Sequence, residues 1–338
     1  MKNLLYRFTT AAIWVYFTLL FGWLAFYIFT GDHISFIASL NWLAVYYFLP
    51  LPLVFLLAIF LRRREVWVGM ILGTVAFLRL WGIDFIPKPV EYTSNPTLTV
   101  MTYNVLGYHE QTRPVIDTIR LESPDIVLLQ ELNPVMAEAL QAELGDDYPF
   151  QVLDPLPGVT GMGAISKFPI RLSSEKLPLN WVGTPQVLAI DWQGREITVV
   201  NFHMLPTNAF KPDVVTFTNR AREAQAQALV DLARRSGSVI IAGDANASPL
   251  SEVYRILTAE LNDAWRAGGF GLGHTFPGSD IPGSSRPRIA GRPVPQWLVR
   301  IDYVFYASPW NVLEARLARF DEVSDHCGVV AKLTWAEK

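Results

Sequence analysis

Cysteine is nearly absent: the 338-residue chain has one, Cys327, so no intramolecular disulfide framework holds it together. Histidine is scarce too, and the scattered His with a lone Cys give no zinc-type ligand spacing. Charge is sparse in the N-terminal quarter and missing from two long stretches of it. Phe8 to Gly31 and Ile34 to Leu61 carry no formal charge, and Val66 to Ile86 carries only Arg79 and Asp84. A basic excess is missing from the rest: residues 87–338 carry 22 Lys and Arg against 28 Asp and Glu, a net of −6. An acidic domain is a poor general binder of nucleic acid, because phosphate contacts need clustered Lys and Arg.

The three apolar segments, about 8–31, 34–61 and 66–86, each meet the roughly 20 residues needed to cross a hydrocarbon core of about 30 Å. Arg79 lies toward one end of its segment, where a long side chain can reach the headgroups. The first segment is longer than a leader's apolar core and no small-residue cleavage pattern follows it, so a permanent span is expected. Lys2 and Arg7 precede the first span, and Arg62, Arg63 and Arg64 separate the second from the third. The positive-inside rule then places the N-terminus and the triple Arg in the cytoplasm, with everything after Ile86 on the far side. The expectation is an integral protein of a bacterial inner or plasma membrane with an extracytoplasmic domain. Pro50 and Pro52 predict a kink in the second span. Residues 87–96, with Pro87, Pro89 and Pro96, read as an extended linker, and 97–338 as one folded domain.

In that domain β-type runs alternate with helical ones. Strands are predicted over 98–105, 126–130, 162–168, 187–192, 197–202, 239–242, 302–306 and 328–333. Helices are predicted over 115–122, 134–144, 220–235 and 251–257. Such a mixture implies α/β layers. Several strands end in polar residues: Asn104, Gln130-Glu131, Asn201-Phe202-His203, Gly243-Asp244-Ala245-Asn246, Asp302 at the mouth of Asp302-Tyr303-Val304-Phe305, and Ser324-Asp325-His326 before the last strand. Strand ends are where α/β proteins gather side chains into one site. Singly, each could be a cap, an Asx turn or a structural ion pair.

The ordered set resembles the endonuclease/exonuclease/phosphatase superfamily of DNase I-like nucleases, neutral sphingomyelinases and inositol-polyphosphate 5-phosphatases. Gly161-Met-Gly-Ala-Ile-Ser-Lys-Phe-Pro-Ile170 also resembles that family's segment between the Glu and the first His. The resemblance covers about Thr97 to Trp335 and implies a four-layer α/β sandwich. Three spans followed by such a domain are similar in layout to bacterial teicoplanin-resistance membrane proteins. The resemblance implies Glu131 as the main metal ligand, assisted by Asn104, with Asp325 as a further candidate. It implies His326 as general base with Asp302 fixing its tautomer. Asp244 and Asn246 would orient the nucleophile and hold the phosphoryl group. His203 would bond phosphate or protonate the leaving group.

Carboxylate and amide donors suit a hard divalent cation, Mg²⁺ first, with Mn²⁺ or Ca²⁺ compatible. Arg286, Arg288, Arg292 and Arg300 lie in a Pro- and Gly-rich stretch, 281–301, that runs into Asp302; they are candidate ligands for an anionic group, or a solvated basic loop. Membrane anchoring favours membrane lipids as partners and a lipid-linked phosphate as substrate: a polyprenyl diphosphate, a phospholipid or a sphingolipid headgroup. The alternatives are an extracytoplasmic nuclease and a non-catalytic scaffold that binds lipid or protein.

Overall fold

A computed structural model describes residues 2–89, 93–207 and 212–336. Part of the expected linker, residues 90–92, and the last two residues of the expected domain lie outside the described residues.

The N-terminal region is helical: α1 (Lys2–Thr30), α2 (Ser35–Asn41), a 3-10 turn (Ala44–Phe48), α3 (Leu51–Leu61), α4 (Arg64–Trp81) and a second 3-10 turn (Gly82–Phe85). Three stretches are long and apolar enough to cross a bilayer: Leu4–Thr30, Ala44–Leu61 and Arg64–Phe85. Their outer faces carry large exposed apolar side chains such as Leu19, Phe60 and Val75, as helices that face lipid do. The unbroken second segment expected over 34–61 is corrected here. The chain leaves the helix at Trp42 and Leu43, and Pro50, which has no N–H, caps α3. Of that segment only Ala44–Leu61 has spanning length. The first part, α2, docks on the folded domain instead.

The rest comprises β1 (Thr97–Asn104), α5 (Arg113–Glu122), β2 (Ile126–Gln130), α6 (Pro134–Leu144), β3 (Phe150–Asp154), β4 (Met162–Ser166), β5 (Ile170–Leu172), β6 (Gly183–Trp192), β7 (Arg195–His203), α7 (Pro212–Arg235), β8 (Val239–Asp244), α8 (Glu252–Thr258), β9 (Asn262–Asp263), α9 (Ala264–Gly268), β10 (Arg288–Ile289), β11 (Arg292–Pro293), β12 (Asp302–Tyr306), β13 (Trp310–Leu317) and β14 (Val329–Trp335). Two six-stranded sheets form, ordered β13-β14-β1-β2-β4-β3 and β5-β6-β7-β8-β12-β9. Each has one parallel pair near its centre, β1 with β2 and β7 with β8. The sheets pack face to face, and their outer faces are covered by α5 and α6 on one side and α7 and α8 on the other. This is the four-layer α/β sandwich of DNase I-like proteins.

Side chains alternate along a strand, and the inner face of every central strand changes character in the same direction. Leu98 and Val100 give way to Thr102 and Asn104, Ile126 and Leu128 to Gln130, Ile197 and Val199 to Asn201 and His203, and Ile240 and Ala242 to Asp244. β12, running the other way, begins at Asp302 and continues to Val304 and Tyr306. The apolar members form one core between the sheets. The polar members collect at one end. Thr102, Gln130 and Asn201 form a bridging layer: Gln130 Nε2 donates to Thr102 Oγ1 at 3.0 Å and to Asn201 Oδ1 at 2.7 Å. Asn201 Nδ2 in turn donates to the carbonyls of Leu129 and Gly163.

Gly243 allows the closest approach of β7 and β8. A Cβ there would lie 2.0 Å from the Phe202 carbonyl oxygen. Gly243→Ala should therefore destabilise the protein by about 1–3 kcal/mol, read as a lowered thermal midpoint of the detergent-purified chain; an unchanged midpoint would contradict the close approach.

Candidate active site

The polar ends of β1, β2, β7 and β8, the start of β12 and the loop before β14 meet at one edge of the sandwich. Asn104 is the hub. Its Nδ2 donates to Glu131 Oε1 at 3.0 Å and to Asp244 Oδ2 at 3.2 Å, while its Oδ1 accepts from Leu106 N. As placed, it faces Glu131 with its amide NH₂ and not its oxygen.

Glu131 follows an inward-facing residue and would point outward by strand alternation. Its left-handed backbone, φ +59°, turns the carboxylate back into the site, and such a conformation costs of order 1–3 kcal/mol in a non-glycine residue. The Gly107 N–H donates to Glu131 Oε2 at 3.0 Å. Burial, and then the charge of Asp325, hold the Glu131 carboxyl above its ordinary pKa.

His326 Nδ1 lies 2.9 Å from Asp302 Oδ2, which fixes the Nδ1–H tautomer and leaves Nε2 facing the cleft, 3.8 Å from Asp244 Oδ2. Burial alone would push the imidazole pKa down. Asp302 and Asp244 outweigh it and hold it well above its ordinary value. Asp244 is pushed up to about 8 by burial and by Asp302. Its Oδ1 accepts from Asn246 N, and His203 Nε2 lies 3.4 Å from its Oδ2. His203 is pushed down to about 3 by burial, so it is neutral here and the contact is polar rather than ionic. Asn246, with φ +47°, anchors the turn by donating to the Met204 carbonyl. Asp325 Oδ2 accepts from both the N–H and the hydroxyl of Ser285.

Glu131, Asp244, Asp302 and Asp325 are all buried, and among the described residues no Lys or Arg nitrogen forms an ion pair with any of them. One buried imidazole balances four acids. Asp302 Oδ1 has no hydrogen-bond partner among the described residues. Crowded hard oxygen donors short of positive charge fit a divalent cation. In this cluster the potential ligand atoms of Asp244, Asp302 and His326 lie within 4.8 Å of one another. There, however, Asp302 and His326 are already bonded together, whereas Glu131 and Asp325 bring further carboxylates.

A cleft of about 560 Å³ opens over this cluster, reaching Glu131, His203, Asp244, Asn246 and His326. Sequence reasoning missed several of its parts. Phe276 sets its ring 5.0 Å from that of His326. Thr275 Oγ1 accepts from the N–H groups of Ile301 and Asp302 and so positions the latter. Trp42 comes from the N-terminal region. None carries a motif; Gln130 and Asn201, polar residues at the ends of apolar strands, were visible, and Thr102 beside them was not.

The four arginines do not act as a set, and the expected loop contains a small hairpin, β10–β11. Only Arg288 lines the cleft, and it is tied to Asp280 and the Gly291 carbonyl. Arg292 stands exposed on the hairpin. Arg286 is spent on the carbonyls of Gly278 and Val294. Arg300 is fully buried away from the cluster, 2.8 Å from Asp263, with its guanidinium over the Tyr303 ring. Arg286 and Arg300 are thus corrected from substrate ligands to structural residues.

A buried cluster of acids with an Asp-held His thus lies at the strand ends of a four-layer sandwich. The model of the Endonuclease/Exonuclease/phosphatase family matches residues 101–326, and the chain belongs to that family. An endonuclease/exonuclease/phosphatase from Beutenbergia cavernae DSM 12333 is 23% identical, with TM-score 0.53 over 71% of this chain and 72% of that one. A Bacteroides vulgatus family member is 17% identical, with TM-score 0.53 over 71% and 99%. TDP2 of D. rerio, complexed with a single-strand DNA product, is 19% identical, with TM-score 0.52 over 71% and 100%. At these identities the likeness is one of fold. No curated protein sequence matches the chain significantly.

Removing one member of a buried ion pair leaves the other charge uncompensated, at about 3–5 kcal/mol. Arg300→Met should therefore lower the thermal midpoint, and adding Asp263→Asn should restore part of the loss. A raised KM with an unchanged midpoint would instead return Arg300 to the substrate.

Proposed function

We propose that this protein hydrolyses a phosphoester or diphosphate carried by a membrane lipid, by direct attack of water, at the extracytoplasmic face of the membrane. Family membership supports metal-dependent phosphoester hydrolysis. The observation that carries the lipid part is the junction between the apolar helices and the catalytic loops. Tyr46, in the second apolar stretch, bonds His274 and the carbonyls of Trp297 and Leu298, just before Asp302. Leu250, four residues after Asn246, and Leu272 pack into the core of the apolar helices. The site is thus built against its anchor.

In this reading Glu131 and Asp325 would hold the divalent cation, and Asn104 would join them once its amide oxygen turns from the Leu106 N–H toward the cation. When bound, that cation draws charge from the phosphoryl oxygens, the main electrostatic requirement of the reaction. With a cation offsetting the surrounding acids, which otherwise keep His326 protonated, His326 Nε2 would take the proton of the attacking water, and Asp302 would stabilise the resulting imidazolium through Nδ1. Asp244 and Asn246 orient the water and the phosphoryl group. His203, neutral, donates a hydrogen bond to phosphate or leaving oxygen. In this reading no covalent enzyme intermediate forms. The second reading, an extracytoplasmic nuclease, draws on the DNA product held by the D. rerio relative. The net charge of −6 and the immobilised arginines weigh against it.

His326→Ala and Glu131→Ala should each lower kcat at least about 10²–10⁴-fold; His326→Ala, which leaves buried Asp302 without its partner, should also lower the thermal midpoint, whereas Glu131→Ala should change it little, and EDTA should abolish turnover until Mg²⁺ is restored. The assay is phosphate release from a lipid diphosphate, run beside plasmid nicking; near-normal turnover in either variant sinks the assignment of roles, and nicking alone favours the nuclease. For orientation, alkaline phosphatase fused after Lys338 should be active in bacterial cells and a green fluorescent protein fused there dark. The opposite pair of results would place the domain in the cytoplasm.

A further inference from the structure

The cleft has two chemically different halves. Its floor is the acid and imidazole cluster. Its walls are Trp42, Val182, Pro206, Phe276 and Ile301, with Arg288 and Ser285 at the rim already engaged by Asp280 and Asp325. A site for a small hydrated phosphate ester would line its walls with free donors. These walls present hydrocarbon and aromatic faces instead.

Trp42 is the wall residue that the domain does not supply. It sits at the corner between α2 and the 3-10 turn, half-buried, touching both the cleft and the seam beside Leu250 and Trp81. The corner is fixed from both sides. Asn41 accepts from Trp23 Nε1 of α1 at 3.0 Å and donates to the Gly31 carbonyl. On the domain side, Asp32 accepts from the Glu252 N–H at the start of α8, and Ser35 bonds Thr216 of α7. Leu43, next in the chain, leaves 44% of its surface exposed, and the stretch Ala44–Leu61 of spanning length follows at once. An apolar wall that begins beside the catalytic imidazole is therefore continuous in sequence with an apolar helix.

We propose that Trp42, with Val182, Pro206 and Phe276, forms a subsite for the hydrocarbon chain of a lipid phosphate next to its phosphoryl group; this rests on the lipid-phosphate reading above. Its occupant is the substrate's own chain, and its role is specificity, exercised in KM rather than in the chemical step. Trp42 is a substrate-binding residue supplied by the N-terminal helical region, so that region takes part in substrate selection as well as tethering.

The test uses the full chain in detergent micelles with Mg²⁺ and a series of p-nitrophenyl alkyl phosphodiesters, methyl, octyl and dodecyl, at fixed surface mole fraction. Wild type should gain kcat/KM with chain length. Trp42→Ala should lose about tenfold on the dodecyl ester through KM, with kcat and the methyl ester within about twofold, as removal of an apolar contact felt equally in ground and transition states requires. Trp42→Phe should recover most of the loss. If wild type favours long chains and Trp42→Ala keeps that preference, the subsite is overturned while the lipid reading stands. If Trp42→Ala loses equally on all three esters, Trp42 is structural and the subsite is likewise overturned. If wild type cleaves the methyl ester with no chain preference, the lipid reading itself fails and the subsite with it.

Discussion

Four carboxyl groups held together out of water, with one imidazole for company, set the terms for the rest of this molecule. Two unit charges about 4 Å apart interact by about 4 kcal/mol at the effective dielectric near a protein surface, and here several such repulsions converge. The raised Glu131 and Asp244 and the strongly basic His326 are three expressions of that one field. A cation relieves it, so affinity for metal is stored in the fold before any metal arrives. The counterpart is that the backbone must hold these groups against their mutual repulsion. It does so with parallel strand pairs whose ends cannot separate and with a left-handed turn at Glu131 that has no apolar reason to exist.

Directly beneath the acids lies the layer of Thr102, Gln130 and Asn201. It joins the two sheets, and its amide donors are used on each other or on backbone carbonyls across the gap. A polar layer between sheets is costly unless satisfied, and once satisfied it admits only one arrangement. Slipping either sheet by one residue would bury these amides among Leu128 and Val199 without partners. Sheet register and active-site geometry are therefore fixed by the same contacts.

Much of this was legible in the sequence because the inner faces obey a period of two. The strands 126–130 and 302–306 and the helix 134–144 fall where their patterns put them, and the polar residues that end the strands meet in space. What was not legible has a common cause. Arg300 looked like a phosphate ligand because it precedes Asp302, yet its partner Asp263 lies 37 positions away and only the packing of β9 against β12 brings them together. The break at Trp42 was hidden because an uncharged run reads alike whether it crosses a bilayer or turns to dock on a domain. Edge strands such as β3 and β13 lack a run of buried residues, since one of their faces is partly open, and so gave little signal.

The seam between apolar helices and catalytic domain is bolted at Asp32, Ser35, Tyr46 and again at Asp84, whose carbonyl receives the Gly271 N–H and whose carboxylate lies 3.5 Å from Arg266. These contacts tie the helices to the domain at several separate segments. Helices that cross a bilayer change their tilt as its thickness changes. In a chain built this way the domain must rotate by the same angle, so the mouth of the cleft would aim differently in thick and thin membranes. Bilayer thickness would then act on the aim of the cleft mechanically, without any binding event.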